Sequence, residues 1–145
     1  MIKIRTVADS DRKDYTTMAE EFYDSPAVMK KIPRSYIDLT FSELLSGSPY
    51  AAALIAERDG KAIGYALLAL TFSQEAGEIY VRPEARGSGA GRALIEAVRS
   101  RFPAARYRLE LEPDNDGARR LYERLGFTAL PYEQMYSSSG ECFRE

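Results

Sequence analysis

The sequence predicts one α/β (α+β) domain over residues 1–145, with a mixed, mostly antiparallel sheet and helices packed on it. Apolar residues recur at helical spacing in several segments, and shorter apolar runs lie between those segments. Two such runs meet around Asp59-Gly60, a pair typical of a β-hairpin turn. A glycine-rich turn, residues 86–91, separates a short apolar strand from a helix. We therefore expect about six or seven strands and about four helices, in the order β-α-α-β-β-β-α-β-α-β-β.

The N-terminal part is predicted to hold one strand and two helices. Residues 2–7 alternate between apolar and polar side chains, as in a short strand. Asp9 or Ser10 is expected to cap the first helix, because both side chains accept hydrogen bonds from free amides. The pattern Ser35-x-x-Asp38 resembles a capping box and is expected to open the second helix.

The middle of the chain carries the hairpin and the glycine turn. Residues 51–57 (AAALIAE) and 61–72 (KAIGYALLALTF) are the two strand-like runs of the hairpin. A third strand ends at Val81 and leads into the glycine turn. The helix that follows is expected to end at Pro103, and residues 107–112 (YRLELE) alternate as a further strand, reached by a parallel crossover.

The C-terminal part is predicted to hold one more helix and two strands. Residues 113–116 (PDND) form a turn and cap before this helix, and Gly126 is placed to close it in the left-handed conformation. The two strands are expected at residues 127–129 and 132–137, and the tail beyond Ser138 is expected to fray.

The glycine turn is suited to an anionic ligand. Gly87, Gly89 and Gly91 allow close backbone approach and positive φ. The amides that open the next helix have no intrahelical acceptors, and together with the helix dipole they attract a phosphate-like group. Arg86 and Arg92 add positive charge. A plain tight turn is the alternative, since the turn matches neither a Walker loop nor the dinucleotide fingerprint.

Composition excludes several classes of chemistry. The chain has no histidine, which excludes Ser-His-Asp and Cys-His catalysis and histidine metal sites. Cys142 is the single cysteine, so no intrachain disulfide forms. The net charge of −2 gives no general attraction to nucleic acid or membranes. We expect a cytoplasmic location, because neither a signal peptide nor an apolar run long enough to span a bilayer is evident.

Three segments of the chain resemble the GNAT superfamily of acetyl-CoA-dependent N-acetyltransferases. Residues 56–68 (AERDGKAIGYALL) are similar to the family's second and third strands. Residues 81–91 (VRPEARGSGAG) are similar to its acetyl-CoA pattern, V-x-P-x-x-R-G-x-G-x-G. Residues 115–127 (NDGARRLYERLGF) resemble its N-x-x-A-x-x-L-Y-x-x-x-G-F signature. The likeness covers about residues 51–127, with the three motifs in the family's order and spacing.

The resemblance implies the GNAT acyl-CoA N-acyltransferase fold, with acetyl-CoA as co-substrate and no metal. The sheet would splay between the strands at 78–81 and 107–112, and the pantetheine arm would bind the open edge of the first. The pyrophosphate would bind the amides of the glycine turn. Asn115 would reach the pantetheine amides, although its side chain could equally cap the last helix. The implied cofactor-binding residues are Ile79, Tyr80, Val81, Arg86, Gly87, Ser88, Gly89, Ala90, Gly91, Arg92, Asn115 and Tyr122.

The resemblance also implies the catalytic groups. Tyr122 would act as the general acid that protonates the departing thiolate, and a core aromatic is the alternative role of this side chain. Glu78 is the first candidate for the general base that accepts a proton from the acceptor ammonium, directly or through water. Glu75, Glu110 and Glu112 are rivals, and each could equally be a solvated surface carboxylate.

The implied reaction is direct transfer of the acetyl group to a primary amine in a ternary complex. A non-catalytic acyl-CoA-binding sensor or regulatory module is the alternative, and a longer acyl donor stays open. The acceptor would be selected by residues 22–34 and 130–136. Lys30, Lys31 and Arg34 there could attract an acidic substrate or form a solvated basic surface. We expect no nucleic-acid or membrane partner, and a homodimer is compatible with the sequence.

Overall fold

The computed structural model describes residues 1–26, 31–70, 78–104, 107–131, 133 and 135, and only the backbone of Glu78. Its strands are β1 (Ile2–Thr6), β2 (Ala51–Arg58), β3 (Lys61–Ala69) and β4 (Glu78–Val81). Its helices are α1 (Arg12–Asp24), α2 (Arg34–Leu45), α3 (Ala90–Arg101) and α4 (Asp116–Arg124), with 3₁₀ turns at Asp9–Asp11 and Pro83–Ala85. Within these ranges, no helix combines the length and the apolar character needed to cross a membrane.

The described strands form one antiparallel sheet in the order β1-β2-β3-β4. The predicted hairpin turn is confirmed, because Asp59 and Gly60 have φ values of 53° and 75°, the two positive angles that a type I′ turn requires. β3 and β4 approach closely at Gly64, which pairs with Val81. A side chain at Gly64 would place its Cβ 2.5 Å from the carbonyl oxygen of Tyr80. Glycine at this position therefore permits the β3–β4 pairing.

Each face of the sheet carries its own apolar core. On one face, α1 and α2 bury a cluster in which the ring of Tyr15 lies 5.2 Å from that of Phe41 and 5.0 Å from that of Tyr65. On the other face, α3 contributes Leu94 and Val98 to a second cluster. Burying each large side chain contributes about 1.5–3 kcal/mol. The two clusters fix β4 between them, with one face toward each.

The first two helices begin at other residues than predicted. α1 starts at Arg12, after the 3₁₀ turn, and Asp11 precedes it instead of Asp9 or Ser10. α2 starts at Arg34, so Ser35 lies inside its first turn and caps nothing. Pro33 occupies the position before α2, and no side chain caps that helix. The carbonyl oxygen of Pro33 accepts from the amide of Tyr36 at 2.9 Å, the first hydrogen bond of the helix.

Two predicted strands are not formed as strands in the described residues. Residues 107–112 and 127–129 carry no strand assignment, and the described sheet therefore lacks the expected parallel crossover. Residues 107–112 do not pair with β4, and both segments line one cavity, as the splayed sheet implied by the family resemblance predicts. The last predicted strand, residues 132–137, and Cys142 fall largely or wholly outside the described residues. The fold class, helices on a mostly antiparallel sheet, is confirmed.

Candidate active site

A cavity of about 1140 Å³ lies between β4, α3 and α4. One wall is formed by Ile79, Tyr80 and Val81 of β4, and the opposite wall by residues 109–111 and by Tyr122 of α4. Small-molecule sites usually measure about 300–1,000 Å³, so this cavity can hold a long ligand together with a second one. All of the predicted cofactor-binding residues except Ser88 line it.

β4 presents an open backbone edge to the cavity. Its inner edge pairs with β3, from Gly64 opposite Val81 to Leu67 opposite Glu78. Its outer edge has no strand partner among the described residues. Because side chains alternate along a strand, Ile79 and Val81 belong to the α3 face, whereas Tyr80 belongs to the α1 face. An extended amide-bearing chain could therefore add to this edge as another strand would.

The glycine turn has the predicted shape. Gly87 and Gly89 have φ values of 74° and 90°, and Gly89 precedes the first residue of α3. The Ser88 hydroxyl donates to the carbonyl of Ala85, which holds the turn from within. In the described structure, the amides of Gly87 and Gly89 and those of residues 90–92 donate to no backbone carbonyl. Unpaired amides at a helix start form a site for an anion.

The two arginines of the turn differ in their contacts. The Nε atom of Arg86 donates to the carbonyl oxygen of Val81 at 3.2 Å, which joins the turn to the end of β4. The Nε atom of Arg92 lies 2.8 Å from the carboxylate of Glu96, one helical turn along. Both side chains are exposed. The Arg86 guanidinium forms no ion pair with a carboxylate of the described residues.

The Asn115 side chain caps α4, one of the two roles predicted for this residue. Its Oδ1 atom accepts a hydrogen bond of 3.2 Å from the amide of Ala118, at the start of α4. Asn115 also lines the cavity, so the residue that begins α4 stands at the ligand space. The side-chain amide nitrogen is not used by this cap.

Tyr122 lies on the cavity wall and not in a core. No side chain of α4 is fully buried, and the ring of Tyr122 is half-buried against that of Phe127, with 5.8 Å between the ring centres. Burial raises the pKa of the Tyr122 phenol above its ordinary value. The phenol therefore stays protonated at neutral pH and is available as a proton donor.

Arg99 is a residue of this site that sequence reasoning missed. Its guanidinium donates to the carbonyl oxygen of Leu125 at 2.7 Å and lies over the ring of Phe127, 5.1 Å from the ring centre. It thereby attaches the end of α4 to α3. The only sequence signal is an arginine in the last turn of a helix, which is common.

The candidate carboxylates are placed unequally. The side chain of Glu78 and the whole of Glu75 lie outside the described residues, so their roles stay predictions. Glu110 lines the cavity from an exposed position, whereas Glu112 does not line it. Glu21 was not predicted, and its carboxylate accepts a hydrogen bond of 2.8 Å from the Tyr80 phenol.

The Tyr80 phenol is strongly perturbed. Burial, and then the hydrogen bond to Glu21, raise its pKa to about 12. The side chain is 5% exposed and packs against the ring of Phe22, with 5.9 Å between the ring centres. Tyr80 is therefore a neutral hydrogen-bond donor on the cavity wall over the physiological range of pH.

A family model and sequence relatives match this chain. The model of the acetyltransferase (GNAT) family matches residues 13–127. A mycothiol acetyltransferase of Streptomyces griseus is 36% identical over 90 residues, which cover 57% of this chain and 29% of that protein. An uncharacterised N-acetyltransferase of Mycobacterium tuberculosis is 32% identical over 112 residues, or 70% of this chain and 71% of that one. The chain thus spans less than a third of the length of the mycothiol acetyltransferases that it matches.

Solved structures share the fold. The aminoglycoside N-acetyltransferase AAC(6′)-Iy, in complex with a CoA-containing bisubstrate analogue, superposes with a TM-score of 0.77 at 20% identity, covering 97% of this chain and 99% of that one. A ribosomal-protein-alanine N-acetyltransferase from Brucella melitensis superposes with a TM-score of 0.69 at 21% identity, covering 97% and 100%. The architecture, the glycine turn and the family match over most of the chain agree, and the protein belongs to the acetyltransferase (GNAT) family.

Proposed function

We propose that this chain transfers an acetyl group from acetyl-CoA to a primary amine. The observation that carries the proposal is that the glycine turn, the open edge of β4 and Tyr122 all line one cavity. The unpaired amides of the turn suit a pyrophosphate, and the β4 edge suits the amides of a pantetheine arm. Tyr122 lines the same cavity as both features.

The chemistry assigned to the chain's own residues is acid–base catalysis. The acceptor nitrogen, once deprotonated, forms a bond to the acetyl carbonyl carbon, and the carbon–sulfur bond breaks. Tyr122 donates its phenolic proton to the departing thiolate, and its raised pKa keeps that proton in place until then. A backbone amide near Val81 stabilises the negative charge that develops on the carbonyl oxygen.

The proton of the acceptor ammonium is assigned to a carboxylate. Glu78 opens β4, the strand whose edge would hold the thioester, and it is the proposed base, acting directly or through water. Glu110, exposed on the cavity wall, is the rival. Comparing Glu78→Gln with Glu110→Gln separates the two, since only the variant of the true base loses turnover while keeping its affinity for CoA.

A thiol-release assay tests the function. Purified protein is given acetyl-CoA and a panel of amines that includes an aminoglycoside, a peptide with N-terminal alanine and simple alkyl and aryl amines. Acceptor-dependent release of CoA is expected, and Tyr122→Phe is expected to lower kcat by about 100-fold or more, the usual contribution of a general acid. CoA binding without transfer to any amine would favour a sensor or regulatory module instead.

A further inference from the structure

The cavity lies between two stretches of backbone with unused hydrogen-bonding groups. In an antiparallel pair every second residue bonds across, and the Arg82 amide donates to the carbonyl of Ile63 in β3 at 2.8 Å. The amides of Ile79 and Val81, which alternate with that of Arg82, therefore point away from β3 and toward the cavity. On the opposite wall, residues 107–111 bond to no backbone group of the described residues.

Two such stretches favour pairing with each other. Residues 107–111 (YRLEL) alternate as a strand does, and an unpaired strand edge is a template for another strand. Pairing with β4 would satisfy backbone groups of both segments and would fill the space between them. The gap therefore needs contacts that keep residues 107–111 at their distance from β4.

Tyr107 attaches this wall to the end of α3. Its hydroxyl donates to the carbonyl of Phe102 at 2.7 Å and accepts from the amide of Ala104 at 3.1 Å, and the Arg99 carbonyl lies 3.4 Å away. The ring packs against the apolar cluster to which α3 contributes. Because Tyr107 is the first residue of the wall, these contacts fix where the wall begins.

We propose that Tyr107 is a positioning residue that keeps the cavity open for the donor. The inference rests on the proposed binding of CoA along β4 and adds what maintains the space before CoA binds. Without the hydroxyl, residues 107–111 are free to close on the outer edge of β4. CoA then binds only the open fraction of the molecules, and its apparent affinity falls by that fraction.

The variant Tyr107→Phe tests the proposal, because it keeps the ring and removes the hydroxyl alone. If closure leaves about one molecule in ten open, the dissociation constant for CoA, measured by calorimetry, rises about 10-fold. We expect the KM for acetyl-CoA to rise by a similar factor. We expect kcat to change less, since saturating donor reopens the cavity.

Hydrogen exchange gives a readout that a loss of stability would not produce. In the CoA-free protein, the amides of Ile79 and Val81 should exchange about 10-fold more slowly in Tyr107→Phe than in the wild type, because closure pairs them. A weakened fold would instead speed their exchange. Saturating CoA should remove the difference between the two proteins.

Ile37→Val is the matched control for stability. Ile37 is 3% exposed, lies in the cluster on the other face of the sheet and does not line the cavity. Removing one buried methylene should lower the melting temperature about as much as removing the Tyr107 hydroxyl does. The affinity for CoA should stay unchanged in this variant, and exchange at Ile79 and Val81 should not become slower.

The outcomes separate this inference from the proposed function. Unchanged or faster exchange at Ile79 and Val81 in Tyr107→Phe would overturn the role of Tyr107, whether or not acetyl transfer occurs. Slower exchange in a protein that acetylates no amine would support this role and contradict the proposed reaction. A loss of CoA affinity that Ile37→Val reproduces would reflect lowered stability and would also contradict the positioning role.

Discussion

The Nη2 atom of Arg99 donates a hydrogen bond of 2.7 Å to the carbonyl oxygen of Leu125, the residue that ends α4. The same guanidinium lies over the ring of Phe127, which packs edge-on against the ring of Tyr122. The amide of Phe127 donates to the carbonyl of Tyr122 at 2.9 Å. No side chain of α4 is fully buried, so core packing alone does not fix this helix. The contacts of Arg99 and Phe127 therefore help to position the Tyr122 phenol in the cavity.

Replacing Arg99 should therefore displace Tyr122. We expect Arg99→Met, which keeps an apolar stem, to lower kcat by about 10-fold and to change the KM for acetyl-CoA less, because small misplacements of a catalytic group are costly. Hydrogen exchange at the Phe127 amide should become faster in this variant.

Arg101→Met is the control for this prediction. The Arg101 guanidinium donates to the carbonyl of Ile4 at 2.8 Å, a contact of the same kind from the same helix end that does not involve α4. Unchanged exchange at Phe127 in Arg99→Met, or equal loss of kcat in both variants, would contradict the positioning role.

The pH dependence of turnover should reflect the raised pKa of Tyr122. Since burial raises this pKa above its ordinary value, the phenol stays protonated to a higher pH than a solvent-exposed tyrosine does. We expect kcat with saturating substrates to show no decline assignable to Tyr122 between pH 7 and pH 9. A decline in that range that disappears in Tyr122→Phe would refute this assignment.

The glycine turn predicts a difference between two alanine substitutions. Gly89 and Gly47 have φ values of 90° and 75°, and neither has a neighbour within 4 Å of an added Cβ. Each substitution to alanine should therefore lower the free energy of unfolding by roughly 1–2 kcal/mol through backbone strain alone. Only Gly89→Ala should also weaken CoA binding, by about 10-fold, as measured by calorimetry. Equal CoA affinity in the two variants would argue against the turn as the anion site.

Gly64 supports the position of β4 through close backbone contact. Gly64→Ala should lower the free energy of unfolding by roughly 1–3 kcal/mol, since its Cβ would meet the Tyr80 carbonyl at 2.5 Å. Gly117→Ala has open space and should leave stability unchanged or raise it by up to about 1 kcal/mol. Urea denaturation of both variants checks this, and a Gly64→Ala protein as stable as the wild type would show that the strands can separate without cost.

The ion pair between Asp11 and Arg5, just before α1, predicts that the free energy of unfolding depends on pH. Asp11 is 4% exposed, and its carboxylate accepts two hydrogen bonds from Arg5, at 2.7 and 2.8 Å, which lower its pKa. A lowered folded-state pKa stabilises the protein above the unfolded value of about 3.9, and this contribution is lost as the pH falls through the folded-state pKa.

Asp11→Asn should thus lower the free energy of unfolding by about 2 kcal/mol at pH 7. The difference from the wild type should shrink below pH 4, as measured by urea denaturation at pH 7 and pH 3. Asp9→Asn, an exposed neighbour in the same 3₁₀ turn, should change neither value appreciably. A constant difference at both pH values would exclude ionisation of Asp11 as the cause.

Features set by neighbouring residues could be predicted from the sequence. The turn at Asp59-Gly60 needs two positive φ angles, and the glycine turn before α3 needs them at Gly87 and Gly89, so local chemistry identifies both. Apolar side chains also recur at helical spacing in α1, at Tyr15, Met18, Ala19 and Phe22, which predicts a buried face, and Tyr15 is 1% exposed.

Features that join distant parts of the chain could not be predicted. The bond between Glu21 and Tyr80 spans 59 residues, and no pattern within either segment indicates it. Residues 107–112 alternate as a strand should, yet a strand requires a neighbour, and the cavity lies where β4 would be that neighbour. The alternating pattern thus predicted a strand that is not formed, whereas the gap beside β4 is the one that the family resemblance implied.

The outer edge of β4 also bears on the solubility of the protein. An unpaired strand edge is a template on which strands of other chains can add, and this can lead to aggregation. β4 has only four residues, and the charged side chains of Arg82 and Arg86 follow it, both of which discourage such addition. A bound pantetheine arm would cover the same backbone groups. The protein should accordingly aggregate more slowly when saturated with CoA, since the ligand would occupy the surface through which copies of the chain could associate.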